Sequence, residues 1–183
     1  MITANAQLPK DAGLEVAEEG WLEPSVPDTR RGARQLALQA LYWESACAET
    51  VDEALATLGS RHNLSTANAQ FAAKLAATVC SQISRIDALI NSSASHWRTD
   101  RIARLDLILL RLGLAEILFF DEIPVSVSID EAVSLAKEYC GAQAYGFVNG
   151  VLDAVAKNPN ALEDSATGKI VAGDQESPDP PVG

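Results

Sequence analysis

The stretch from Ile102 to Phe120 limits what this chain can become more than any other. Leu105, Leu107, Ile108, Leu109, Leu110, Leu112, Leu114, Ile117 and Leu118 cover nearly the whole circumference of a helix drawn through it. A helix that is apolar all round must be surrounded, so the remaining elements have to pack about it. Arg104, Asp106, Arg111 and Glu116 argue against a membrane span, because charges at that depth are expensive. The same expense requires Arg111 and Asp106 to pair or to emerge at a surface. Arg111 reads as a structural ion pair or a snorkelling side chain. Asp106 reads equally as an internal pair or as part of a rim that faces a partner.

The segments on either side are also helical in rhythm. A first helix runs from about Arg30 to Cys47, with Asp28 or Thr29 as its cap. Thr50 and Glu53 form a capping box for a second helix that ends near Arg61. Ser65 or Thr66 opens a long third helix with Phe71, Leu75, Val79, Ile83, Ile86 and Ile90 on one face, which Asn91-Ser92-Ser93 breaks. A segment around Trp97 leads to the central helix. After Pro124, Ser128 and Glu131 read as a second capping box, above a helix that ends at Gly141. A last helix covers about Ala144 to Ala156, and Pro159 prevents its continuation. No segment shows sustained strand alternation. The expected fold class is all-α.

Hydrophobic content of 48% with only 5% aromatic fits a core of Ala, Leu, Ile and Val in one domain of a 183-residue chain. Residues 1–28 and 158–183 carry Pro, Gly and scattered acids without an apolar period, and are expected to be disordered tails flanking a domain at 29–157. Those tails hold −5 and −4 of the −11 net charge, which leaves the domain at −2. A nearly neutral domain can present a local basic patch. The N-terminus lacks a basic-then-apolar leader, and Cys47, Cys80 and Cys140 are odd in number and widely spaced. Both features suit reduced thiols in a cytoplasmic protein, with no membrane association.

Arg30, Arg31 and Arg34 lie within a turn and a half of one helix start. Cations there oppose the helix dipole at about 0.3–1 kcal/mol each, and no acid one turn downstream compensates. Phosphate gives such a cluster a reason, since guanidinium forks match phosphate oxygens; a plain solvated patch is the alternative. Phe147-Val148-Asn149-Gly150 opens the last helix with two poor helix formers. Gly150 is expected to permit close packing against a neighbouring helix. Phe147 reads as core or, near a basic patch, as a platform for a base. His62 and His96 have no ligand-spaced Cys or carboxylate, and no phosphate loop or nucleophile elbow occurs, so neither catalysis, metal nor cofactor is expected.

Four blocks in order resemble the NusB family. They are Arg30-Arg31-Gly32-Ala33-Arg34 with Ala37-Leu38-Gln39-Ala40-Leu41-Tyr42; Leu105-Asp106 with Ile108 to Arg111 and Glu116; Pro124-Val125 with Ile129 to Val133 and Leu135-Ala136-Lys137; and Phe147 to Asp153. Together they cover about Arg30 to Ala156. The resemblance implies a compact bundle of about seven helices. It implies a transcription antitermination factor that binds boxA RNA of ribosomal RNA leader transcripts with NusE, the ribosomal small-subunit protein, within the RNA polymerase antitermination complex. It implies that Arg30, Arg31 and Arg34 grip phosphates, that Phe147 and Asn149 lie near the RNA path, and that Tyr42 and Asp106 face the partner. Gly32 and Leu107 stand where relatives often carry basic residues, and residues 142–146 lack the acids often found there. These departures imply weaker RNA affinity or more reliance on the partner. The alternatives are a helical interaction scaffold or homodimer without RNA binding, and the same module as one domain of a ribosomal RNA methyltransferase. The methyltransferase needs a large α/β domain downstream, where this chain has a short tail.

Overall fold

The computed structural model describes residues 26–47, 49–93, 101–141 and 144–158. Seven α-helices occur among them: α1 (Arg30–Ala46), α2 (Val51–Gly59), α3 (Thr66–Ser81), α4 (Ile83–Ser93), α5 (Arg104–Phe119), α6 (Val125–Tyr139) and α7 (Ala144–Ala156). No strand occurs among the described residues. The segment around Trp97, residues 1–25 and residues 159–183 lie outside them; of the expected N-terminal tail, residues 26–28 are described, and Val26 is buried in the fold.

The all-round apolar helix is α5, and it touches α1, α3, α4, α6 and α7. Leu109, Leu110 and Leu114 on it are wholly buried. Each such leucine contributes roughly 1.5–3 kcal/mol through removal from water. α1 approaches its neighbours closely because Ala33, Ala37 and Ala40, spaced by four and three, are wholly buried. Gly113 serves the same purpose on α5, where a Cβ would meet the Leu152 Cδ1 at 2.9 Å and the Ala132 Cβ at 3.3 Å. Gly150 does not: a Cβ there would meet open space, so the expected close packing falls to Gly113 instead.

Several caps form as their residues dictate. Thr29 Oγ1 accepts from the Gly32 N–H at 3.1 Å. Thr50 and Glu53 make the reciprocal box at α2. Ser65 caps α3 without a side-chain bond to the helix's own N–H groups, its hydroxyl donating to Asp28 Oδ1 at 2.9 Å. The same Asp28 oxygen accepts from the Ser65 N–H at 2.9 Å and from Asn68 Nδ2 at 2.6 Å. These bonds, that of Asn68 foremost, hold the Asp28 carboxyl below its ordinary range.

Two boundaries differ from the sequence reading. The long third helix is interrupted at Gln82, which caps α3 with a non-helical ψ of 13°, so that α4 can turn onto α5 and α7. The second capping box does not form, because α6 already begins at Val125. Ser128 is buried inside that helix, and its hydroxyl donates to Glu116 Oε2 at 2.9 Å. Arg111 takes the structural role expected of it, making paired 2.8 Å bonds to both oxygens of Asp87 on α4.

A short segment ahead of α1 is strapped to the loop between α2 and α3. Val26 is buried, and its N–H donates to His62 Nδ1 at 3.1 Å. Gly32 makes room for this strap, since a Cβ there would collide with the Pro27 carbonyl. Burial first, and the adjacent Arg61 second, hold the His62 imidazole below its ordinary value of 6.5. A depressed folded-state value means that protonation favours unfolding. The stabilisation is therefore full above pH 6.5 and lost as pH falls through the lowered value. Thermal unfolding at pH 7.5 and 5.5 should show a fall in Tm that His62→Gln reduces. An identical fall in both proteins would refute the latch.

Candidate nucleic-acid interface

The cations at the start of α1 face three different ways. A helix advances about 100° per residue, so position 34 lies angularly between 30 and 31 but one turn deeper. Arg30 is exposed; its guanidinium lies 4.5 Å from the Phe71 ring centroid and donates to the Ala67 carbonyl at 3.3 Å. Arg31 turns toward α6, donating to Glu138 Oε2 at 2.8 Å, with Glu131 at 3.7 Å. Its side chain keeps 36% of its exposure.

Arg34 turns inward. Its side chain is 7% exposed, and it makes a two-pronged pair with Glu116 of α5, of which the Nη2–Oε2 arm is 2.9 Å. Glu131 stands 3.8 Å away on its other side. The expectation that Arg34 grips phosphate is therefore corrected: both forks of its guanidinium face protein carboxylates in a site closed to solvent. Its place is in the core. Of the three arginines, Arg30 and Arg31 are the ones that reach solvent.

The acids missing from the first turn of α1 come from other helices. Glu116, Glu131 and Glu138 converge on the arginines from α5 and α6 and offset the unfavourable dipole. Gln35 adds a 2.8 Å bond from its Nε2 to Glu138 Oε1. Burial first, and Glu138 second, push the Tyr139 hydroxyl up to about 12, so it stays protonated. None of Gln35, Glu131 and Glu138 stood out in the sequence as part of this site. One signal was present, in that Glu116 is a single charge on an otherwise apolar face of α5.

The other expected site residues are dispersed. Phe147 is half-buried and packs against the core, while Asn149 is exposed, both on α7, which lies against α6. Tyr42 is half-buried on α1. Asp106 is half-buried at the start of α5, next to Cys140 at the end of α6. Burial first, and a hydrogen bond with Asp106 second, push the Cys140 thiol up, so it is no thiolate nucleophile. Among the described residues no cluster of three or more His, Cys, Asp or Glu could hold a metal, and no helix is long and apolar enough to cross a membrane.

What the start of α1 can do is exchange partners. The Arg31–Glu138 pair is open to solvent, where such pairs are worth about 0–1 kcal/mol, so an incoming phosphate can compete for the guanidinium. Among the described residues no carboxylate lies within ion-pair distance of Arg30, and stacking on Phe71 holds its guanidinium in place at little cost.

Residues 31–157 match the family model described as NusB family. The transcription antitermination protein NusB of Natranaerobius thermophilus is 36% identical over 135 residues, which are 72% of this chain and 97% of the relative. That of Myxococcus xanthus is 40% identical over 131 residues, 69% of this chain and 94% of the relative. Among solved structures, T. maritima NusB aligns with a TM-score of 0.65 at 30% identity, covering 74% of this chain and 97% of the other. A chain from a crystal structure of the antitermination factors NusB and NusE in complex with dsRNA aligns with a TM-score of 0.61 at 30% identity, covering 70% and 96%.

Proposed function

The chain belongs to the NusB family, and from that premise we propose that it is a transcription antitermination factor that binds boxA RNA of ribosomal RNA leader transcripts together with NusE. The observation that carries the RNA side of this reading is the exposed pair Arg30 and Arg31 at the start of α1, one stacked on an aromatic ring and the other in an exchangeable ion pair. A solved relative with NusB, NusE and dsRNA in one complex supports the choice of partners. The role is one of binding and not of catalysis, in the cytoplasm, as part of the RNA polymerase antitermination complex. The domain at 29–157 carries it, with the acidic tails as additions. Asn149 and Phe147 lie near the RNA path, and Tyr42 and Asp106 on the partner-facing side.

Two solvent-accessible cations, one of them already in an ion pair, make a modest RNA grip, since each phosphate contact in a single strand contributes about 0.7 to the salt slope. The isolated protein should therefore bind boxA RNA weakly and gain at least tenfold in affinity when NusE is present. Fluorescence titration with and without NusE measures this. Tight binding by the isolated protein, unchanged by NusE, would contradict it. The burial of Arg34 lends some weight to a second reading, a helical scaffold without RNA binding. That reading requires no RNA binding under either condition.

A further inference from the structure

We propose that Lys74 on α3 is a further phosphate-binding residue, so that the RNA strand crosses the start of α1 and continues along α3. The proposal rests on the RNA-binding reading above. It starts from the divergence of the two solvent-accessible arginines: Arg31 leans toward α6, and Arg30 leans onto α3 through Phe71 and the Ala67 carbonyl. A backbone held by both must run from the α6 side to the α3 side.

On α3 it meets a single charge. The 16 residues of that helix hold no acid and one cation, Lys74. Its side chain is 60% exposed, and its ammonium lies 4.3 Å from the Phe120 ring centroid. Phe120 in turn stands edge to face against Phe71, at 5.7 Å between centroids. Arg30, Phe71, Phe120 and Lys74 thus form one continuous ladder, a cation at each end and two buried rings between. The rings fix both cations from below and leave their outer sides to solvent. The carboxylate facing Lys74 is Glu122, at 3.9 Å and 64% exposed, a loose solvated pair that phosphate can replace.

The test is binding of boxA RNA to the full chain, as a function of salt, for Lys74→Gln, Lys74→Arg, Arg104→Gln and the double variant Arg30→Ala, Arg31→Ala. Arg104 is an exposed cation at the opposite end of α5 from Phe120, about 24 Å along the helix. Lys74→Gln should lower the salt slope by about 0.7, which is about a fivefold loss of affinity at 0.1 M salt relative to 1 M. Lys74→Arg and Arg104→Gln should bind like the parent. If Lys74→Gln binds like the parent while the double arginine variant weakens, the α3 path is wrong and the RNA reading stands. Should neither variant weaken, both fall. An equal loss in Arg104→Gln would show a non-local charge effect and overturn the assignment of Lys74.

Discussion

Arg34→Ala will cost this protein more stability than most single substitutions at its surface, about 3–5 kcal/mol by denaturant unfolding. The substitution leaves Glu116, which is 2% exposed, with the Ser128 hydroxyl as its remaining short partner. A buried carboxylate stripped of its cation loses the attraction and keeps the whole desolvation cost. Glu116→Ala should cost less, because Glu131, 3.8 Å away, still faces the guanidinium that it leaves beside Phe71. Replacing both residues by apolar ones of similar size, Arg34→Met with Glu116→Leu, should recover most of the loss. Such pairs are held as much by the penalty of breaking them as by net attraction. A single-variant loss below 1 kcal/mol would mean that water reaches this pair in solution.

That pair also shows what the sequence could and could not disclose. The central helix was legible because its apolar residues leave no polar face, and only burial on all sides answers that pattern. The box at Thr50 and Glu53 was legible because its two halves are three residues apart and depend on nothing else. Ser128 and Glu131 carry the same local signature, yet Ser128 is committed to Glu116 on another helix, and Glu131 approaches Arg31 and Arg34. Arg34 was misplaced for a like reason: its partner lies 82 positions away, and proximity in sequence to Arg30 and Arg31 suggested a shared outlook. Asp28 and Thr29 were both candidate caps for α1; Thr29 takes that place, and Asp28 bonds to the start of α3 through Ser65 and Asn68. The close packing expected of Gly150 falls to Gly113, because a glycine's place in the sequence states nothing about which face meets a neighbour. Local rules held where both partners were near in sequence. They failed where tertiary contacts claimed one of them.

The second large effect expected is on RNA. Arg30 and Arg31 remain the solvent-accessible cations of the cluster at the start of α1, and the reading of function depends on them. Their removal should leave the fold intact, since Arg30 is exposed and the Arg31–Glu138 pair is solvated. Loss of two phosphate contacts should lower the salt slope by about 1.4, close to 25-fold in affinity at 0.1 M salt relative to 1 M. The loss should be uniform across RNA sequences, because guanidinium on phosphate reads no base. Selectivity for boxA would then reside in base contacts, for which Phe147 and Asn149 are the proposed source.

The most direct measurement is therefore the salt dependence of boxA RNA binding, in the presence of NusE, for the parent chain and for Arg30→Ala, Arg31→Ala. A shallower slope and a loss of roughly 25-fold at 0.1 M salt, with an unchanged circular dichroism spectrum, is the predicted result. Equal slopes and equal affinities would contradict the claim that the start of α1 holds the RNA backbone.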